Sequence, residues 1–199
     1  METEPLSATA EQIEQRMQSS IRASAELQLR LLDMIPQIRA AAVLFCQAWS
    51  QNRTVYVMGN GGSAAEAQHL AAELVGRFER DNCLAAQALT TDTSIITALS
   101  NDFAFDQVYE RQVRALVKKG DVVVAISTSG NSPSIVRAAE QAKSSGASVI
   151  GISGQSGGQL NELCDICLKV PSTRTCRIQE AHLTIIHLLC ELVELLIPA

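Results

Sequence analysis

Residues 54–80 constrain the fold of this chain more than any other stretch. A short β-branched and apolar run, 54–58, breaks into a glycine-rich turn, 59–62, and the turn leads into a segment of helical composition. Ser63 is predicted to cap that helix, with Glu66 completing a capping box. Since glycines let backbone amides approach a ligand and a helix N-terminus favours negative charge, the turn predicts a bound anion such as phosphate.

Two chemically useful side chains follow on the predicted helix. His69 and Glu73 are four residues apart, so they lie on one face and within reach of a common atom. Such a pair is often only a feature of the helix surface, and a single glycine-rich turn is often only a tight turn. The rest of the chain has to decide between these interpretations.

A second unit of the same kind begins at residue 121. The continuous β-branched run DVVVAI, 121–126, suits a strand that is buried on both faces. Polar and glycine residues fill 127–131, and then Ser132 is the predicted N-cap and Pro133 the first helical residue. The loop offers several hydroxyls and amides to one anion, although serine-rich loops are also common as plain turns. Neither loop contains the Gly-Lys-Ser or Gly-Lys-Thr of a nucleotide-binding P-loop, so we expect no nucleotide cofactor.

Strands and helices alternate along the remaining sequence, which predicts a doubly wound, mostly parallel sheet of five strands with right-handed crossovers. We expect a single domain over residues 1–199. A helical hairpin, 7–50, precedes the sheet, and a long helix, 177–196, closes the chain and is apolar on nearly every face. Both need cover, and a second copy of the chain is the simplest source of it.

Composition excludes several classes of protein. The net charge is −5 without a basic cluster, so nothing in the sequence indicates nucleic-acid binding. The N-terminal stretch lacks the basic and apolar regions of a secretory signal, and no apolar run is long enough for a membrane span. We therefore expect a cytoplasmic protein with no membrane partner.

The six cysteines are interpreted as small buried apolar residues in a reducing compartment. They are Cys46, Cys83, Cys164, Cys167, Cys176 and Cys190. Only Cys164 and Cys167 form a CxxC pair, and a zinc knuckle or a redox motif is the less favoured interpretation of a single pair.

The final helix carries two further candidates. Gln179 and His187 are eight residues apart, about 80° around the helix axis, so they can face one pocket. A histidine in the run IIHLLC is more often a hydrogen-bonded core residue than a ligand. His182 is predicted to point elsewhere, and the sequence shows no evident partner for it.

Four motifs occur together along the chain: GNGGSAAEAQHLAAEL, NDFAF, ISTSGNS and RIQEAHLTIIH. In this combination and order the sequence resembles the sugar isomerase (SIS) domain family over nearly its whole length. The resemblance implies an α/β/α sandwich around a parallel sheet, and a homotetramer whose active sites are shared between neighbouring subunits. It also implies aldose–ketose isomerisation of sedoheptulose 7-phosphate to D-glycero-D-manno-heptose 7-phosphate, the first step toward nucleotide-activated heptose for lipopolysaccharide core or other surface glycans.

The resemblance further implies roles for individual residues. Glu73 and His187 would be the catalytic base and acid, facing one another across a subunit boundary. The phosphate would be held by Ser127, Thr128, Ser129 and Ser132. The rest of the substrate would contact Asn60, Gly61, Gly62, Ser63, Glu73, Arg77, Asn101, Asp102 and Gln179. One zinc ion per subunit, at full or partial occupancy, would be bound by His69, Glu73, Gln179 and His187.

Two alternatives stay open at this point. One is a non-catalytic regulator with the same domain that binds the replication initiator DnaA. In that relative the positions matching Glu73 and His187 no longer hold a carboxylate and an imidazole, whereas both are present here. The other is an isomerase of a different phosphosugar, such as a hexose phosphate.

Overall fold

A computed structural model describes residues 8–81 and 83–197. Its five strands form one parallel sheet in the order β2-β1-β3-β4-β5. The strands are Val55–Gly59 (β1), Ala86–Ala88 (β2), Val122–Ser127 (β3), Ser148–Ser153 (β4) and Ile166–Lys169 (β5). The prediction of five parallel strands is therefore confirmed.

Helices cover both faces of this sheet. They are Ala10–Arg30 (α1), Ile35–Ser50 (α2), Gly62–Val75 (α3), Thr93–Asp102 (α4), Val108–Leu116 (α5), Pro133–Ser144 (α6), Leu160–Leu163 (α7) and Thr175–Leu196 (α8). The predicted N-terminal hairpin is present as α1 and α2, joined by a 3₁₀ turn. Ser7, its predicted first residue, lies outside the described residues.

Two hydrophobic clusters lie on opposite faces of the sheet. Alternate residues of β3 divide between them: Val122 and Val124 pack with α2, α3 and α8, while Val123 and Ala125 pack with α5 and α6. Because both faces are covered, every residue of β3 is buried, as its continuous apolar composition requires. The architecture is a three-layer α/β/α sandwich, as the resemblance implied.

The start of α3 differs from the prediction. The N-cap is Gly61, with a positive φ of 56°, and no side chain caps the helix. Ser63 lies inside the first turn and is buried, and Glu66 bonds to α8 instead of closing a capping box. Glycine at the cap allows a left-handed turn that a serine side chain would disfavour, so the helix begins earlier than its polar residues suggest.

The cysteines are also less buried than predicted. Of the six, Cys190 is buried, Cys83 and Cys176 are exposed, and the other three are partly exposed.

Several apolar side chains on α1 are not covered by other residues of 8–81 and 83–197. Leu27 is the buried residue of α1, whereas Ile13, Met17 and Ile21 are exposed. No described helix has the length and apolar character that crossing a bilayer requires.

Candidate active site

The site lies at the point where the order in which strands are added to the sheet reverses. From β1 the chain moves outward to β2, and it then returns to place β3 on the other side of β1. The carboxyl ends of β1 and β3 are neighbours, with Gly59 paired to Ile126. Ligands of open parallel sheets bind in the crevice at such a switch point. The glycine-rich turn and the serine-rich loop, which are the two predicted anion sites, therefore lie side by side there.

The serine loop is held by bonds among its own residues. The hydroxyl oxygens of Ser127 and Ser132 lie 3.2 Å apart, and Ser129 Oγ accepts a bond from the Asn131 amide. Ser132 is the N-cap of α6, as predicted, although its side chain does not bond to the helix. Thr128 is partly exposed at the centre of the loop. These hydroxyls surround the start of a twelve-residue helix, which favours an anion there.

The glycine-rich turn connects this loop to α8. Asn60 Nδ2 donates to Ser134 Oγ at 2.9 Å, which ties the turn to α6. On the other side, a Cβ on Gly62 would lie only 2.1 Å from Gln179 Nε2, so the Gln179 side chain packs directly over the turn and would have to move to admit a side chain at position 62. Asn60 Oδ1 is buried and has no hydrogen-bond partner among the described residues.

Tyr109 holds the carboxyl end of β1 in place. Its hydroxyl donates to the Gly59 carbonyl at 2.6 Å, in a fully buried contact. Burial raises the pKa of Tyr109 to about 12, so the phenol stays a donor at neutral pH. The sequence analysis did not identify Tyr109, because a tyrosine in an amphipathic helix gives no sign of its hydroxyl partner.

Three of the predicted catalytic and metal-binding side chains converge between α3 and α8. The Nε2 atoms of His69 and His187 are 2.9 Å apart, and His69 Nε2 is 3.5 Å from Glu73 Oε1. The Phe78 ring packs against His187. These contacts form within one chain, and the expectation that the catalytic pair meets across a subunit boundary stays a prediction.

Beside it lies a pair that the sequence analysis misjudged. His182 is completely buried, and its Nδ1 is 3.2 Å from Glu66 Oε2. The sequence shows no evident partner for His182, and the structure corrects this by pairing it with Glu66. Helix spacing could have indicated this pair. Glu66 precedes His69 by three residues, so the two lie on one face of α3, and His182 follows Gln179 by three residues on α8. Each therefore shares a helix face with a predicted site residue.

An open cavity of about 420 Å³ lies between α3 and α8, and His69 is the member of the cluster that lines it. It is lined by Gly62, Ala65, Glu66, His69, Gln179, Glu180 and Leu183. Both helices that carry the acid–base cluster therefore border the same space as the glycine-rich turn.

Three predicted substrate residues make no hydrogen bond to the cluster within the described chain. Arg77 follows the end of α3 and is exposed. Asn101 and Asp102 end α4, bond to one another at 2.8 Å and are also exposed. The structure shows no hydrogen bond from any of the three to the other predicted residues within the described chain.

The predicted zinc ligands suit the ion chemically but are not spaced as ligands. Two nitrogens bound to one tetrahedral zinc at about 2.0–2.1 Å lie roughly 3.3 Å apart, whereas those of His69 and His187 are at a hydrogen-bond distance of 2.9 Å. Accordingly, within residues 8–81 and 83–197 no group of three or more His, Cys, Asp and Glu side chains is arranged to hold a metal ion. Zinc binding would require a small outward shift of the two rings.

The two loops at the switch point and the acid–base cluster are typical of an α/β domain that binds sugar phosphates. Similarity to known proteins identifies the family. Residues 21–154 match the family model of the SIS domain. The chain is 51% identical over 176 residues to the phosphoheptose isomerase of Pelobacter propionicus. The aligned region covers 88% of this chain and 92% of that protein. The chain thus belongs to the phosphoheptose isomerases, enzymes built on the SIS domain.

Solved structures of that family agree with this assignment. The phosphoheptose isomerase from Neisseria gonorrhoeae superposes with a TM-score of 0.86 at 40% identity, covering 91% of this chain and 99% of the other. That from Francisella tularensis gives a TM-score of 0.87 at 35% identity, with 91% and 97% covered. The SIS resemblance drawn from the four motifs is confirmed.

Proposed function

We propose that this enzyme converts sedoheptulose 7-phosphate to D-glycero-D-manno-heptose 7-phosphate, the first step toward nucleotide-activated heptose. The observation that carries the proposal is the convergence of Glu73, His69 and His187 beside the switch-point crevice of a chain from the phosphoheptose isomerase family. A carboxylate and imidazoles are the groups that proton transfer between neighbouring carbons and oxygens needs.

The phosphate end of the substrate is assigned to the serine loop. Ser127, Thr128, Ser129 and Ser132 surround the start of α6, where hydroxyl donors and the helix dipole both favour a dianion. Phosphate binding there is remote from the reacting carbons, so its binding energy serves to position them. The turn after β1 then spans the distance to α8, with Asn60 and Gln179 facing the sugar hydroxyls.

The reacting end of the substrate is assigned to the cluster. Conversion of ketose to aldose needs a base that takes a proton from C1, a group that stabilises the enediol oxygen and an acid that returns a proton at C2. Glu73 is the proposed base. His187 is the proposed acid or the shuttle between oxygens, and its contact with His69 holds the ring in place.

We also propose that zinc can bind at this cluster through His69, Glu73, Gln179 and His187. Imidazole and carboxylate are ordinary zinc ligands, and Gln is a weak one. When bound, zinc supplies Lewis-acid polarisation of a substrate oxygen. Glu73 cannot serve freely as a base while it is a tight ligand, so loose occupancy fits the proposed chemistry best.

The proposed assembly is a homotetramer with active sites completed by neighbouring subunits. It is supported by the exposed apolar side chains of α1, where Ile21 is 67% exposed. Light scattering tests it: a tetramer is expected, and a monomer at micromolar concentration would remove the shared sites from the proposal.

A panel of ketose phosphates tests the reaction. NMR of the products should show the aldose heptose phosphate from sedoheptulose 7-phosphate, with little turnover of fructose 6-phosphate. Preferred turnover of the six-carbon substrate would identify a hexose phosphate isomerase. Absence of turnover of every sugar in a folded protein would support a regulatory role.

A further inference from the structure

Two cysteine side chains meet beside a glycine of β4, the strand next to the sheet edge. Cys164 ends α7, and Cys167 lies on β5 in register with Gly151 of β4. A Cβ built on Gly151 would be 2.6 Å from Cys164 Sγ and 3.3 Å from Cys167 Sγ. Both sulfur atoms therefore occupy the space that a side chain at position 151 would fill, and they face one another there.

The surroundings make the two thiols unequal. The neighbouring Cys167 side chain raises the pKa of Cys164, and the Cys164 side chain lowers the pKa of Cys167. The Ser153 hydroxyl, 3.6 Å from Cys167 Sγ, lowers the pKa of Cys167 further. Both residues are partly exposed. A thiolate is the nucleophilic form of cysteine, and a neighbouring thiol can resolve its oxidation product.

We propose that Cys164 and Cys167 form a reversible intramolecular disulfide when the protein meets a peroxide. The Cys167 thiolate attacks one peroxide oxygen, the O–O bond breaks, and with one proton the products are a sulfenic acid and water. The Cys164 sulfur then attacks the sulfenic sulfur, an S–S bond forms, and a second water leaves. A dithiol restores both thiols by exchange and becomes a disulfide itself.

Oxidation at this position would act on the serine loop through α7. The Leu160 amide of α7 donates to the Gly130 carbonyl, and the Gln159 amide donates to Asn131 Oδ1, both at 3.0 Å. Cys164 is bonded through its own amide to Leu160. Drawing the two sulfurs together moves the C-terminal end of this four-residue helix. The movement strains the two hydrogen bonds between the start of the helix and the serine loop.

Effects on the enzyme rest on the proposed phosphate role of the loop. Loss of one loop hydrogen bond should raise KM for the phosphosugar by about 2- to 10-fold, with kcat little changed. A dithiol should reverse the rise.

Mass spectrometry tests the disulfide directly, without reference to activity. After brief hydrogen peroxide treatment, the tryptic peptide that contains both cysteines should lose two hydrogens and resist alkylation until it is reduced. The double variant Cys83→Ser/Cys176→Ser, which removes the two exposed cysteines, should behave like the wild type. Cys164→Ser should abolish the link and leave Cys167 to oxidise to the sulfinic acid.

Two results would overturn the inference. One is peroxide oxidation that yields only separate sulfinic acids or links to Cys83 or Cys176 in a folded protein. The other is a disulfide that forms with KM unchanged in an active enzyme, which would remove the effect on the loop. Failure of the proposed reaction is distinguishable, because it would abolish turnover in the reduced protein while the peptide masses still reported the disulfide.

Discussion

The imidazole of His182 and the carboxylate of Glu66 are paired at 3.2 Å in the interface between α8 and α3. His182 has no exposed surface, and its Nε2 has no hydrogen-bond partner among the described residues. The pair lies one turn from His69 on α3, so it fixes the spacing between the two helices that carry the acid–base cluster. We interpret Glu66 and His182 as positioning residues for His69 and His187.

Replacing either member should therefore affect both stability and turnover. In Glu66→Gln or His182→Gln one buried group is left with a poorer partner, and an unsatisfied buried polar group costs about 1–3 kcal/mol. We expect urea unfolding to show a loss of that size, accompanied by a fall in kcat. The exposed Glu140→Gln on α6 is the matched control and should leave both quantities unchanged. Wild-type stability and rate in Glu66→Gln would show that the pair positions nothing.

The serine loop gives a prediction with a different kinetic signature. Ser129→Ala with Ser132→Ala removes two hydroxyls from the proposed phosphate site but leaves the backbone of α6 intact. Since these contacts are remote from the reacting carbons, we expect KM to rise by about 10-fold or more, at roughly 1 kcal/mol per hydrogen bond, and kcat to change less. Isothermal calorimetry with inorganic phosphate should show a parallel loss.

The control for the loop is Ser144→Ala, which removes an exposed hydroxyl at the far end of α6. If phosphate affinity were unchanged in the double variant while the protein stayed folded, the phosphate would have to bind at the turn after β1 instead.

Zinc binding can be measured separately from activity. Protein dialysed against zinc and then against buffer should retain the ion, and His69→Gln should retain much less, because it removes the nitrogen that contacts both His187 and Glu73. Cys164→Ser should retain as much zinc as the wild type. Zinc that follows the cysteine substitution and ignores the histidine substitution would place the ion at the CxxC pair.

Most of the fold could be predicted from local patterns in the sequence. The β-branched run at β3 and the Ser-Pro start of α6 predicted a buried strand, a polar loop and a helix, and the structure has all three. Such features depend on neighbours in sequence, so they can be read without knowledge of the tertiary structure. The start of α3 was missed because Gly61 takes a backbone conformation that competes with capping by Ser63.

Contacts between distant elements could not be predicted in the same way. The bond from Tyr109 to Gly59 joins residues fifty positions apart, and Glu66 and His182 are separated by more than twice that distance. Helix periodicity places a side chain on a face but does not say which face of another helix it meets. For that reason His187 was joined to His69 and Glu73 only through the family resemblance, and the partner of His182 was missed.

The last prediction concerns the chemical step, which we assign to Glu73 and His187. Glu73→Gln and His187→Gln keep the size of the side chain and part of its hydrogen bonding, but neither amide can take up and return a proton. General acid or base catalysis contributes about 10²- to 10⁴-fold, or roughly 3–5 kcal/mol of the barrier. We expect kcat to fall by that factor in each variant, with KM changed far less and the assembly intact by light scattering.

Controls for this test must avoid the buried pair. His182→Gln is unsuitable as a neutral variant because it breaks the bond to Glu66. Glu191→Gln serves better, since Glu191 is exposed one turn beyond His187 on the same helix and should keep the wild-type rate. Deuterium exchange at C1 of the ketose separates the two roles: Glu73→Gln should lose the exchange, whereas His187→Gln should keep part of it, because the base acts first. Full exchange in Glu73→Gln would assign the base to another residue, and His69, which is 2.9 Å from His187, would be the first to test.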